Sequence, residues 1–374
     1  MSTVTSRWAP PGPLREWFGR HQSISITLLT MIAAGVLPFI ALVPPFSSFG
    51  TQRDWVDGFA NAGVYMLLAL GLNVVVGFAG LLDLGYAAFF AIGAYTYAFG
   101  ASPFSGLHLP FWFMLAMGAL VAAMFGLLLG APTLRLRGDY LAIVTLGFGE
   151  IVPIVFLNAD NYTNGTNGIG GVYTPTLLDY TYRVGDPWPY YVTMAVILAA
   201  VMILLYRLQD SRLGRAWAAL REDELAAASM GINTVTTKLL AFAIGATTSG
   251  FAGVFLASKL TLVSPTQFGF VVSFTVLAMV VLGGMGNIWG VAAGAFIIYE
   301  VQTQGLKQLN QVLQPLNLPV VSGIDWIQYQ YLLYGLVLVF MMLIRPEGLF
   351  PSRRRRAELH EAGVEAAIPE VAAE

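Results

Sequence analysis

The chain has 374 residues, of which 57% are hydrophobic and 11% are charged, and its formal net charge is −2. Soluble domains carry roughly 25% charged residues, so this composition excludes an ordinary soluble protein and predicts that lipid surrounds most of the surface. The near-neutral charge gives no indication of nucleic acid as a partner. The absence of cysteine excludes disulfides and thiolate metal sites, and we expect no cofactor bound by this chain.

Ten apolar segments follow one another, each of roughly the 17–25 residues needed to cross a bilayer. They lie near 24–43, 59–76, 80–100, 111–131, 140–158, 189–207, 238–258, 268–285, 288–305 and 328–345. Very short glycine-rich connections at 77–80 and 286–288 allow either flanking pair to be one interrupted helix. The sequence therefore predicts an all-α polytopic membrane protein of about ten transmembrane helices (8–10), some broken or re-entrant at Gly-rich turns.

The basic residues predict how these spans are oriented. With ten spans, every arginine-rich segment falls on one side: the N-terminus, the loops 132–139 and 207–238, and the C-terminal flank. Both termini are therefore predicted to be cytoplasmic. The predicted organisation is a cytoplasmic segment 1–23, a transmembrane domain 24–345, and a basic-then-acidic tail 346–374 that we expect to be disordered.

Several polar residues and glycines fall inside or beside the predicted spans. Glu150 stands mid-span in TLGFGEIVPI, where an ionised group is costly and must face protein or water, either along a transport pathway or in a structural contact. Asp83 follows the glycine break, where it either interacts with a helix dipole or faces a polar cavity. The same candidate pathway includes Asn73, Thr145, Gly77, Gly80, Gly283, Gly284 and Gly286.

The longest predicted cytoplasmic loop, 208–237, contains an unusual polar stretch with the sequence LREDELAAASMGIN. Apolar residues recur there at helical spacing, opposite much of the charge: Trp217, Leu220, Leu225 and Ala228. Small side chains follow. We expect a short helix that docks on a cytoplasmic partner, with a helix lying on the membrane surface as the alternative. The candidate contact residues are Arg221, Glu224, Ala226, Ala227 and Gly231.

Motifs for nucleotide binding and hydrolysis are missing from the chain. A P-loop requires glycine directly before lysine, whereas the three lysines, Lys238, Lys259 and Lys307, follow Thr, Ser and Leu. The chain is therefore predicted not to be an enzyme by this route. An ion-coupled secondary transporter and a membrane scaffold remain alternatives, although neither needs a docking loop.

Four stretches in order along the chain carry a resemblance to a known family. They read LNVVVGFAGLLDLGYAAFFAIGAYTYA, PTLRLRGDYLAIVTLGFGEI, REDELAAASMGIN and LAMVVLGGMGNIWG. Between about residue 60 and residue 350, the chain resembles the permeases of branched-chain amino-acid ABC transporters, specifically the LivM subunit. The resemblance implies a bacterial or archaeal inner-membrane permease that works with a homologous LivH-type permease, two cytoplasmic ABC ATPases that bind ATP, and an extracytoplasmic binding protein for leucine, isoleucine or valine.

The resemblance also implies a role for the 208–237 loop, which we call the coupling loop. Its pattern in such permeases is Glu-Ala-Ala, three residues and Gly, which Ala226, Ala227 and Gly231 match. Leu225 occupies the glutamate position, Glu224 lies one place early, and the downstream proline is missing. Related permeases for urea and short amides share much of the pattern, so these substrates are the alternative to amino acids.

Overall fold

The computed structural model describes residues 35–39, 51–133, 138–177, 180–313, 328–345 and 348–350, and this part of the chain is mostly helical. The α-helices are α1 Gln52–Leu72, α2 Tyr86–Gly100, α3 Phe111–Thr133, α4 Asp139–Asn158, α5 Asp160–Thr163, α6 Pro187–Gln209, α7 Arg212–Glu222, α8 Glu224–Ser229, α9 Thr234–Leu260, α10 Phe270–Gly283, α11 Ile288–Glu300, α12 Leu306–Leu313 and α13 Gln330–Ile344. Two π-helical turns, Asn73–Phe78 and Val301–Gly305, continue α1 and α11.

Six helical segments of the described residues are long and apolar enough to cross a membrane. They are Gln52–Phe78, Phe111–Pro132, Asp139–Asn158, Pro187–Gln209, Thr234–Leu260 and Pro265–Gly283. The first predicted span, 24–43, and both terminal segments lie largely outside the described residues. The prediction of a mostly helical chain with several membrane-span candidates is therefore confirmed, and six candidates are found among the described residues by length and composition.

Helix α9 forms the centre of the fold together with α1. In α9, 67% of the residues in the apolar window are buried, and in α1 78% are, compared with 28% in α4. Glycines line the contacts of α9 with α2 and α3: a Cβ at Gly250 would lie 2.7 Å from the carbonyl oxygen of Gly118, and a Cβ at Gly93 would lie 2.6 Å from that of Gly250. Glycine permits this close approach of helix backbones, which larger side chains would prevent.

Helix α1 starts earlier than the predicted span 59–76. Thr51 and Asp54 form a capping box at its N-terminus, because the Asp54 side chain accepts hydrogen bonds from the Thr51 backbone and hydroxyl. The following turn is held by Trp55 and Phe59, which pack against each other in a small aromatic cluster. Local capping therefore extends the helix beyond its most apolar part.

Helix α2 is shorter than a bilayer is thick. Its 15 residues extend roughly 22 Å, against the roughly 30 Å of a hydrocarbon core. The non-helical residues 79–85 precede it, so that the predicted span 80–100 is divided into a non-helical segment and a helix. Protein groups satisfy backbone N–H groups at this division: Thr145 on α4 accepts from Leu84 in the segment, and Ser273 on α10 accepts from Ala87 in the first turn of α2.

Short antiparallel strand pairs connect the helices. β1 Ala101–Ser102 pairs with β2 Leu107–His108, and β4 Thr176–Leu177 pairs with β5 Tyr180–Thr181. β3 Ile169–Gly170 pairs with β6 Leu262–Val263 and so fastens the long 159–187 loop to the end of α9. The Asn- and Gly-rich part of this loop forms tight turns, with Asn164 in the left-handed region at φ 58°.

Candidate functional site

Two glycine-rich turns of similar sequence meet in the interior of the protein. The first glycine turn, residues 77–85, follows α1, and the second glycine turn, residues 283–287, joins α10 to α11. The Oδ1 atom of Asn73 accepts a hydrogen bond from the Gly286 backbone N–H at 2.8 Å. A Cβ at Gly77 would lie 2.0 Å from this Oδ1 and 2.7 Å from the Gly286 nitrogen. The structure thus brings Asn73, Gly77 and Gly286 into one buried contact.

Left-handed backbone conformations explain why both turns contain glycine. The φ angles are 70° at Gly80, 108° at Gly284 and 83° at Gly286, in a region that residues with a Cβ adopt only at a cost. Gly283 has a different function. A Cβ there would lie 2.6 Å from the Gly290 carbonyl oxygen, so that Gly283 permits close packing of α10 on α11.

The end of the first glycine turn crosses α4 at Thr145. The Thr145 hydroxyl accepts a hydrogen bond from the Leu84 N–H at 3.0 Å, and the Asp83 Oδ1 accepts one from the Gly85 N–H at 2.9 Å. Asp83 is buried in the segment before α2, rather than in the first helical turn. Its Oδ2 has no hydrogen-bond partner among the described residues. Asp83 in the first glycine turn and Thr145 on α4 thus lie side by side.

Glu150 lies apart from this buried group. It is exposed on α4, and its Oε1 accepts a hydrogen bond from the Phe270 N–H at 3.1 Å, at the start of α10. A carboxylate at a helix N-terminus satisfies an otherwise unpaired N–H and is stabilised by the helix dipole. Glu150 therefore makes a structural hydrogen bond to α10 and is also exposed on the surface of this chain.

The coupling loop folds into two helices, α7 and α8. The prediction that one helical face carries Trp217, Leu220, Leu225 and Ala228 is wrong, because Asp223 adopts an extended conformation and interrupts the helix. Its side chain then accepts hydrogen bonds from the N–H groups of Leu225 and Ala226 and caps α8. As a result, Trp217 is fully buried whereas Leu225 is 64% exposed.

Helix α8 ends in a Schellman motif at Gly231. The Ile232 N–H donates to the Ala227 carbonyl and the Gly231 N–H donates to the Ala228 carbonyl, with Gly231 at φ 85°. Ala226 is exposed, but Ala227 is only 4% exposed and faces the interior. The surface that α8 offers to another molecule is therefore formed by Leu225, Ala226 and the residues around Gly231.

Among the described residues, side chains of the coupling loop fasten it to the membrane helices. Trp217 Nε1 donates to the Thr237 carbonyl at 2.8 Å, and Glu224 forms an ion pair with Lys238 at 2.6 Å, so that α7 and α8 are both held to α9. Arg221 instead reaches the π-helical turn that continues α1, where its Nη1 donates to the Gly77 carbonyl at 2.6 Å. Sequence analysis grouped Arg221 and Glu224 with the docking surface but gave no indication of these internal partners.

A second polar cluster was missed by sequence analysis. Lys259 on α9 forms an ion pair with Asp57 at 2.8 Å and donates to the Asn61 Oδ1 at 2.7 Å. Nearby, the carboxylate oxygens of Glu300 are buried without a partner among the described residues. Asp57 and Lys259 fell just outside the predicted spans, but Glu300 lies inside the span 288–305, where an acidic residue is a functional candidate by default.

Two cavities of the described residues differ in the polarity of their linings. One of them, about 260 Å³, lies between α1, α6 and α11 and has no Asp, Glu, Lys, Arg or His side chain among its described lining residues, so it does not suit a charged ligand. The smaller, about 180 Å³, lies beside the first glycine turn and is bordered by Arg221, Glu224 and Lys238. Among the described residues, no group of three or more His, Cys, Asp or Glu side chains is arranged to hold a metal ion.

Comparison with known proteins identifies the family. The model of the family described as "Branched-chain amino acid transport system / permease component" matches residues 55–342. The chain belongs to this family.

Relatives from two bacteria support the same membership of the permease family. The chain is 41% identical over 342 residues to the "High-affinity branched-chain amino acid transport system permease protein LivM" of Salmonella typhimurium, covering 86% of this chain and 75% of the relative. It is 42% identical over 333 residues to LivM of Escherichia coli, covering 83% and 73%. Identity to LivH of Salmonella typhimurium is 25% over 311 residues, covering 79% and 94%. No solved structure matches the chain.

Proposed function

We propose that this chain is a membrane-spanning permease subunit of an ATP-binding-cassette importer for leucine, isoleucine and valine. The observation that carries the proposal is the identity of 41% and 42%, over most of the chain, to two permeases of branched-chain amino acid transport systems. The chain does not hydrolyse ATP in this scheme, because partner ATPases supply the energy.

The proposed assembly contains this chain, a LivH-type permease, two cytoplasmic ATPases and an extracytoplasmic binding protein. The chain crosses the inner membrane about ten times with both termini in the cytoplasm, which puts the coupling loop on the side of the ATPases. The exposed surface of α8, with its small side chains and well-defined C-terminal cap, supports docking of this kind. An ion-coupled transporter would not need such a surface.

The substrate pathway runs along α4, between this chain and the second permease. Glu150 supports this assignment, because it is exposed on a helix of which only 28% of the apolar window is buried. A carboxylate in that position must meet water or another protein in the membrane. The buried residues Asn73, Asp83 and Thr145 then shape the turns behind the pathway and do not line it directly.

The test is ATP-dependent uptake of radioactive leucine into vesicles that contain the complete assembly, compared with vesicles from which this chain alone is omitted. We expect uptake only with the chain present. Excess isoleucine or valine should compete, whereas urea and acetamide should not. Competition by urea without competition by isoleucine would assign the chain to the urea and amide permeases, and ATP-independent uptake would contradict the importer.

A further inference from the structure

Arg221 joins the coupling loop to the C-terminal end of α1. Its Nη1 donates to the Gly77 carbonyl at 2.6 Å. Its aliphatic part packs on Gly80, where a Cβ would lie 2.7 Å from the Arg221 Cγ. The guanidinium and the side-chain stem thus use two glycines of the same turn, one as a hydrogen-bond acceptor and the other as a packing surface.

The chemistry at this end of α1 favours a cation. The last carbonyls of a helix lack partners within the helix, and the helix dipole gives them partial negative charge. The last turn of the π-helical extension contains no basic residue of its own. Arg221 from α7 supplies the missing cation, in a charge-assisted hydrogen bond of the stronger kind.

The contact continues from Gly77 to the second glycine turn. Gly77 packs on the Asn73 side chain, whose Oδ1 accepts the Gly286 N–H at 2.8 Å. The two turns are in tight contact at Gly77, because an added Cβ there would lie 2.7 Å from the Gly286 nitrogen. A displacement of Arg221 would therefore be transmitted through α1 to the turn between α10 and α11.

The coupling loop and the first glycine turn are only partly packed against each other around Arg221. The cavity of about 180 Å³ lies between the coupling loop and residues 79–82, with Arg221 at its border. Part of this interface is thus open rather than packed. The other fastenings of the loop, through Trp217 and Glu224, lead to α9.

We propose that Arg221 is a positioning residue that ties the coupling loop to both glycine turns, so that ATP-driven movement of the loop changes the position of the two turns together. The proposal rests on the proposed function and deepens it. Arg221 acts inside the permease, through the Gly77 carbonyl, rather than by contact with an ATPase.

The test compares Arg221→Met with Arg212→Met in the complete assembly. Methionine retains an aliphatic stem against Gly80 but removes the donor to Gly77. Arg212 is exposed at the start of the same helix, so its replacement controls for the loss of a positive charge from the loop. The measurements are the amount of inserted chain, the amount of co-purified ATPase, and the ratio of leucine imported to ATP hydrolysed.

For Arg221→Met we expect normal insertion, normal ATPase co-purification and continued ATP hydrolysis, with the import-to-hydrolysis ratio lowered roughly tenfold because one charge-assisted hydrogen bond is lost. Arg212→Met should retain the parental ratio. Arg221→Lys should recover part of the loss, because an ammonium group can also donate to the Gly77 carbonyl.

Two results would overturn the proposal: a parental ratio in Arg221→Met, or loss of ATPase co-purification from a normally inserted chain, which would make Arg221 a direct ATPase contact. If the methionine variant does not insert, Arg221→Gln tests the loss of charge and reach, because its neutral amide nitrogen lies two bonds short of the position of the Arg221 Nη1. A failure of the proposed function itself would be distinguishable, because the parental assembly would then import no leucine.

Discussion

The two glycine turns share a sequence pattern but differ in what covers them. VVVGFAG ends at Gly80 and VVLGGMG ends at Gly286, and both contain left-handed glycines. The first turn is covered by the Arg221 side chain from the coupling loop. The second is covered by the backbone of residues 348–350, whose Leu349 and Phe350 N–H groups donate to the Leu282 and Gly283 carbonyls.

The first turn is thus held by one side chain of the coupling loop, whereas the second turn is held by backbone hydrogen bonds. A side-chain contact of one residue can be broken and re-formed at modest cost, whereas paired backbone hydrogen bonds hold a segment in register. We infer that the first turn is where the coupling loop acts, and that the second turn follows through Asn73.

The largest effect is expected from Gly77→Ala, which places a methyl group where the two turns touch. Because the Gly286 nitrogen is backbone and would lie 2.7 Å from the Cβ, we expect a loss of about 3 kcal/mol in stability, measured by thermal unfolding in detergent. Gly147→Ala is the control, since nothing lies within 4 Å of a Cβ there. Equal unfolding temperatures for the two variants would disprove the tight contact between the turns.

A large effect on activity, with little on stability, is expected from Ala226→Arg. The exposed site accepts the side chain without disturbing the core, but added bulk should keep the ATPase away, so that co-purified ATPase and leucine uptake fall together. Ala226→Ser is the small control. Ala227→Arg should instead destabilise α8, because Ala227 is buried. If added positive charge strengthened binding to anionic lipid and left co-purification intact, α8 would be a membrane-surface helix.

An intermediate effect is expected from Glu150→Gln. The Glu150 side chain on α4 accepts from Phe270 at the start of α10, the helix that ends at the second turn. Glutamine retains an oxygen that accepts the Phe270 N–H, so we expect normal folding and assembly. Because the negative charge on the exposed face of α4 is lost, leucine uptake should fall several-fold. Uptake at the parental rate across the pH range would show that Glu150 is only a structural contact. Glu150→Ala, without an acceptor, measures that structural contribution separately.

The smallest effect is expected from Asn287→Ala in the second turn. Asn287 caps α11 by accepting the Trp289 N–H, and its Nδ2 donates to the Phe350 carbonyl at 2.9 Å. Loss of the Asn287 side chain should lower the free energy of unfolding by about 1 kcal/mol, with the ratio of leucine import to ATP hydrolysis unchanged. Asn287→Asp retains the cap but loses the donor to the Phe350 carbonyl, so it should recover only part of the stability. A changed import ratio would mean that the second turn also transmits movement directly.

The amino-acid pattern was enough to predict the class of protein, the approximate positions of its main helices and the glycines of its turns. Long apolar segments admit few structures in lipid other than helices, because every backbone hydrogen bond must be satisfied within the segment. Gly80, Gly284 and Gly286 were likewise identifiable, since glycine at a break between apolar segments indicates a left-handed turn or close packing.

Which of these residues contact each other depends on how the helices pack in three dimensions. Sequence analysis grouped Glu150 with Thr145 and placed Ala227 on an outer surface, but Glu150 is exposed whereas Thr145 is buried, and Ala227 is buried too. The partners of Asn73 and Arg221 lie 213 and 144 residues away along the chain. Periodicity reports only the face of a helix, and no local pattern specifies which distant carbonyl or N–H that face will meet when the helices pack.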